Sequence, residues 1–144
     1  MKHFILCFLF LTGALSYSQT ADEYLEMALK QYSINPMVSS VRTNFNNALK
    51  LEPKNEKVLY EFAKYDIEKG AYYEAQDLLT TLLEIVDNNP EYYWQRVRVL
   101  VRRNSLKKEL LMARDDLEKA IELGFNDTLK IKKANELIDE YLKL

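Results

Sequence analysis

The strongest constraint on this chain is a helical hairpin written between Asn55 and Pro90. Its first half is apolar at Val58, Leu59, Phe62 and Ala63, and Gly70 ends it. Its second half is apolar at Tyr72, Ala75, Leu78, Leu79, Leu82, Leu83 and Val86. Spacings of three and four place each set on one face of a helix. A single pair of such helices cannot bury both faces, so it needs similar neighbours.

The neighbours are present on both sides. Val41, Phe45, Ala48 and Leu49 share a pattern with Ala75, Leu79, Leu82 and Leu83, which lies 34 residues later. Ala113, Leu117, Ala120 and Ile121 repeat it after a further 38 residues. The longer second interval fits extra residues in the Asp87-Asn88-Asn89 connector. Leu25, Leu59 and Val97 correspond in the first halves, as do Ala28-Leu29, Phe62-Ala63 and Leu100-Val101. Few Gly and Pro, nearly half apolar residues and no alternating β-branched runs all favour an ordered, all-α chain.

Local signals punctuate seven helices. Thr20 with Glu23 reads as a capping box for the first, whose inward set is Tyr24, Leu25, Ala28, Leu29 and Tyr32. Asn35-Pro36 reads as the cap and first turn of the second, which carries Val38, Val41, Phe45, Ala48 and Leu49 inward. Pro53-Lys54-Asn55 breaks the chain, with Asn55 capping the third helix, and Asn89-Pro90 opens the fifth. The fifth shows Tyr93, Trp94, Val97, Leu100 and Val101, and a polar break follows at Arg103-Asn104-Ser105. The sixth is apolar at Leu106, Leu110, Ala113, Leu117, Ala120 and Ile121, with Gly124 in the left-handed closing position. Asn126 or Asp127 caps a seventh, apolar at Ala134, Leu137, Ile138, Tyr141 and Leu142.

A helix-turn-helix unit of about 34 residues resembles the tetratricopeptide repeat (TPR) family. The unit from Glu56 fits best, through Leu59, Phe62-Ala63, Gly70, Tyr72, Ala75, Leu79 and Leu82. The first unit matches at Leu25, Leu29, Tyr32, Phe45, Ala48, Leu49 and Pro53, with Pro36 in place of the turn Gly. The third matches at Ala113, Leu117, Ala120 and Ile121 and lacks the Gly-Tyr turn. The resemblance implies a right-handed α-α superhelix of three hairpins, about 22–55, 56–93 and 94–127, with a capping helix at 128–143. It also implies that the first helix of each unit lines a concave side. That side would carry Glu26 and Lys30, then Tyr60, Lys64 and Ile67, then Arg98 and Arg102.

The first eighteen residues read as a signal peptide: Met1-Lys2-His3, the apolar run Phe4 to Leu11, then small residues at Ser16 and Ser18. Cleavage after Ser18, within one or two residues, would leave the domain 19–144 in the periplasm or outside the cell. The apolar run is short of the roughly 20 residues that span a bilayer, so a retained anchor is the weaker reading. Leu6 before Cys7 disfavours lipid attachment. Cleavage would also remove His3 and Cys7, the only His and Cys. The mature chain would then have no Cys or His nucleophile, no Cys/His zinc site and no disulfide. No Gly-rich phosphate loop or G-x-S-x-G elbow is present, and adjacent acids such as Asp115-Asp116 point about 100 degrees apart. No enzyme activity and no cofactor are expected.

Losing Lys2 leaves 19 basic residues against 22 acidic, a net of −3, which does not suit general nucleic-acid binding, and no run after cleavage is long and apolar enough for a membrane helix. Arg96, Arg98, Arg102, Arg103, Lys107 and Lys108 nevertheless form a run without an acid between Glu91 and Glu109. Arg98 and Arg102 lie one turn apart, as a pair that could take a carboxylate or as a solvated surface pair. In Tyr92-Tyr93-Trp94 at least one ring must leave the core, and Tyr92 is the expected one. Trp94 is expected to wedge between the second and third units. The candidate surface is therefore Lys30, Tyr60, Lys64, Tyr92, Arg98 and Arg102. Its expected partner is an acidic protein or peptide, and the charge polarity also suits head-to-tail self-association. The rival expectation is a structural helical subunit of an envelope complex that acts through its convex or terminal surface.

Overall fold

The computed structural model describes residues 19–103 and 106–143. The targeting segment expected at 1–18 lies outside the described residues, as do Asn104 and Ser105 of the polar break. Among the described residues there are seven α-helices and no strand. They are α1 (Ala21–Ile34), α2 (Ser40–Leu51), α3 (Glu56–Lys69), α4 (Tyr72–Ile85), α5 (Pro90–Arg102), α6 (Lys107–Glu122) and α7 (Thr128–Leu142). No described helix is long and apolar enough to cross a membrane.

Most boundaries follow local chemistry. Thr20 Oγ1 accepts from the Glu23 amide at 3.2 Å, and the Glu23 carboxylate accepts from the Thr20 amide at 2.9 Å. Two orphan donors of the first turn are thereby satisfied. Asn55, Asn89 and Asp127 accept from the Val58, Glu91 and Lys130 amides at 3.0–3.1 Å and start α3, α5 and α7. Gly70 (φ 73°) and Gly124 (φ 104°) end α3 and α6. At both ends the next amide reaches back, Ala71 to the Asp66 carbonyl and Phe125 to the Ala120 carbonyl, each at 2.9 Å. That pattern needs the left-handed backbone that glycine adopts without strain.

The start of α2 differs from the expectation. Asn35 closes α1, and its Oδ1 accepts from the Met37 amide in a side-chain turn. This holds Pro36 to Val38 in a connector, so α2 begins at Ser40 and Val38 is exposed.

α1 with α2, α3 with α4 and α5 with α6 pack as pairs, and each pair packs on the next. The substantial contacts run only between helices adjacent or next but one in the chain. Three apolar clusters follow one another in the same order. The first joins Leu25 and Ala28 of α1 and Val41, Phe45 and Ala48 of α2 to Val58, Phe62 and Tyr65 of α3. Phe45 and Phe62 stack there with ring centres 4.8 Å apart. The second joins Leu59, Ala63 and Ile67 of α3 to Ala75, Leu79 and Leu82 of α4 and Tyr92 and Val99 of α5. The third joins Trp94, Val97, Leu100 and Val101 of α5 to Ala113 and Leu117 of α6 and Ala134 and Ile138 of α7.

α3 and α5 therefore serve two clusters each, which a one-face reading does not anticipate. That is why Ile67, expected on the open side, is buried, and why Val99 is buried without having been singled out. Trp94 does not wedge between units but stacks on Phe125, ring centres 4.8 Å apart, inside the third cluster. Ile121 and Leu137, expected inward, are exposed, and Leu106 is 76 % exposed because it precedes α6 as its cap. Each fully buried large side chain contributes roughly 1.5–3 kcal/mol.

Candidate functional site

α5 organises the site. One row of this helix reads Glu91, Gln95, Arg98, Arg102, at spacings of four, three and four that bring the side chains into line. Gln95 is buried, donates through Nε2 to Glu91 and accepts from Arg98 Nη1. Both ends of its amide are used, so the row is pre-set. Burial, and then the neighbouring Arg102 charge, pull the Arg98 guanidinium below its usual pKa. Arg102 has no hydrogen bond or ion pair among the described residues, and nor does Lys133 of α7.

Arg98 and Arg102 border a cleft of about 460 Å³ between α5 and α7. Trp94, Val97, Val101, Ala134 and Leu137 supply its apolar lining, and Lys130 and Lys133 join the arginines at its rim. Glu91 is the one acid in the lining, and it is engaged by Gln95. Lys130 is paired with Asp127 at 2.8 Å. The cleft thus combines four cations with an apolar floor, a combination that attracts carboxylates flanked by apolar groups.

Tyr60, Lys64 and Tyr92 lie beside this row on α3 and α5. The Lys64 ammonium stands 5.2 Å from the Tyr60 ring centre and pairs with Glu61 at 3.0 Å. Burial, and then Glu91 and Glu61, push the Tyr60 phenol up. The Tyr60 and Tyr92 ring centres are 5.0 Å apart. Tyr92 is buried, contrary to the expectation that it would be the exposed ring of its triplet. Its hydroxyl donates to Glu56 at 2.6 Å, which satisfies the phenol inside the packing. Burial and then Glu56 raise its pKa above the usual phenol range. Tyr93 instead sits half-buried, its hydroxyl on the Asp87 carbonyl. Lys30 stands apart on α1, in a depression lined by Gln19, Glu23, Glu26 and Met27.

The basic run does not form one edge. Arg96 clamps the buried Asp116 of α6 through Nε and Nη2 at 2.7 and 2.8 Å. Arg103 pairs with Glu109 at 2.7 Å, donates to Gln76 and lies 3.7 Å from the Tyr73 ring centre. Those two arginines turn towards α4 and α6, which leaves Arg98 and Arg102 on the other side of α5. Lys130 and Lys133 were not among the candidates, because only the packing of α7 against α5 brings them there, and Trp94 was expected between units rather than in the cleft. Among the described residues no three or more His, Cys, Asp or Glu side chains are placed to hold a metal ion. No family model matches the chain, and no curated protein matches it significantly.

Proposed function

We propose that the chain is an exported, TPR-like interaction module that holds an acidic protein or peptide segment, without turnover or cofactor. In this reading the three hairpins and α7 form a short right-handed superhelix in the periplasm or outside the cell. The odd-numbered helices line its binding side, and the α5/α7 cleft is the anchoring point. One observation carries the proposal: two arginines and two lysines surround an apolar floor against a single acid, Glu91, so the cations stay in excess. The serial order of the three clusters supports the stack, since each hairpin gains its interior from the next. Direct α1–α3 and α5–α7 contacts support a common side for the odd-numbered helices.

The test is affinity capture from the native envelope extract with wild type and an Arg98→Glu/Arg102→Glu variant. The expected outcome is loss of the captured partner with the chain still folded and only a small drop in thermal midpoint, because neither arginine closes a buried ion pair and only the Arg98 bond to Gln95 is lost. Equal capture by both proteins would reject the cleft. It would favour the second reading, a structural subunit acting through another surface. Ile34 and Met37, both strongly exposed around the α1–α2 connector, are the apolar residues that favour that reading.

A further inference from the structure

α7 distributes its charge against its own interest. Lys130, Lys132 and Lys133 occupy its first half, and Glu136, Asp139 and Glu140 its second. The positive end of a helix dipole lies at the N-terminus, so this order is the unfavourable one beyond the Asp127 cap. The one i,i+4 pair within the helix, Lys132 to Glu136 at 3.8 Å, also runs in the weaker direction. Glu136 and Glu140 are like charges one turn apart. Pairing within the chain answers only part of this order: Asp139 meets Arg114 of α6 and Lys130 meets Asp127, while Lys133 and Glu140 have no ion pair among the described residues.

Reversal of the helix does account for it. Ala134 and Ile138 are buried against α5 and α6, and the opposite face presents Leu129, Lys133, Glu136 and Glu140 at spacings of four, three and four. We propose that this outward face of α7 pairs with the same face of a second copy of the chain, antiparallel about a two-fold axis. A two-fold contact must be self-complementary, so a residue's partner is set by reflection through the centre of the helix. Centred between Asn135 and Ala134, the pairing sets Lys133 of each copy opposite Glu136 of the other. Leu129, 60 % exposed, then lies over Leu137 and Glu140 of the other copy, at both ends of the contact.

The contact is one helix face wide, at the small end of specific interfaces, and its central pairs are exposed. It is therefore a weak, reversible and salt-sensitive dimer. It shares Lys133 and Leu137 with the border of the α5/α7 cleft, so the dimer and an acidic segment compete for them. Arg98 and Arg102 take no part in the dimer, and an Arg98→Glu/Arg102→Glu variant should still dimerise.

The test is sedimentation velocity on the purified protein over a concentration series. Wild type is expected to move reversibly from monomer towards dimer, and high salt is expected to shift it back. Lys133→Glu alone and Glu136→Lys alone each place like charges in opposition and weaken dimerisation by at least roughly tenfold. An equal mixture of those two variants restores both opposite-charge pairs and dimerises again. The Lys133→Glu/Glu136→Lys double variant also dimerises, and it tests the pairing independently of how either single variant folds. A wild type that stays monomeric, single variants that associate like wild type, or a mixture and double variant that stay monomeric would each overturn the proposal.

Discussion

Two pairs of arginines on one helix show what a charge is for. Arg96 and Arg103 point from α5 towards α4 and α6, where each meets an acid. Arg98 and Arg102 point towards α7, where they meet two lysines and an apolar floor. The first pair is structural: Asp116 is buried, and both its oxygens are held by Arg96, which is itself 14 % exposed. The second pair is held together against its own repulsion, which Glu91 and Glu68 offset only in part, so an acidic group from outside would relieve it further. Counting arginines in the sequence does not separate the two roles, and the partners do.

This contrast ranks the effects of mutation. Arg96→Ala should be the most damaging, because it strands a buried carboxylate; a loss of about 3–5 kcal/mol is expected in denaturant unfolding. A loss below about 1 kcal/mol would show that Asp116 finds other solvation. Arg102→Ala should change stability by no more than about 0.5 kcal/mol, since it removes an exposed charge with no hydrogen bond among the described residues. Arg98→Ala also strips the buried Gln95 Oε1 of its donor and should cost about 1 kcal/mol.

A second comparison sharpens the first. Asp66 of α3 is as deeply buried as Asp116, yet only its Oδ1 meets Arg42, and Oδ2 has no partner. Arg42 is 37 % exposed and spreads over the Phe62 and Tyr65 rings at 5.3 and 5.7 Å. Burial pushes the Asp66 carboxyl up to about 6, against an ordinary 3.8, and Arg42 offsets only part of the rise. The sign follows from proton binding. Between those two values the folded chain holds a proton that the unfolded chain has released, so stability from this group falls as pH rises through 3.8 to about 6. Asp66→Asn should remove that fall, and above pH 6 it should be as stable as wild type or more so. Thermal midpoints of both proteins across this range check the point, and parallel profiles would contradict it.

The smallest expected effect separates capping from packing. Thr20→Ala removes one side of the Thr20–Glu23 box and should cost about 1 kcal/mol at the exposed start of α1. Its signature is faster amide exchange confined to the first turn of α1.

What could be read from the chain was what is local. Thr20 with Glu23, Asn55, Asn89-Pro90, Gly70 and Gly124 each fix a helix end within a few residues of themselves, and each is found where its chemistry places it. The three hairpins were legible because their apolar rows recur. What was not legible depends on distance. Arg96 finds Asp116 twenty residues on. Tyr92 finds Glu56 thirty-six residues back, and so is drawn in when its triplet alone suggested that it stay out. Lys130 and Lys133 read as the wet side of a final helix until α7 lies against α5. The α2 start was misplaced for a local reason: Asn35 and Pro36 suit a helix start and a turn equally, and the Met37 amide on Asn35 settles it as a turn.

The proposed occupant of the α5/α7 cleft is an acidic segment lying over its apolar floor. Trp94, the only tryptophan in the chain, forms part of that floor and reports on it directly. The decisive measurement is a titration of the purified protein with a short peptide alternating Glu and Leu, followed by Trp94 emission. The expected result is a saturable change that is absent with the Lys-for-Glu peptide and absent in the Arg98→Glu/Arg102→Glu variant. No change with the acidic peptide, or the same change with the basic one, would contradict the account.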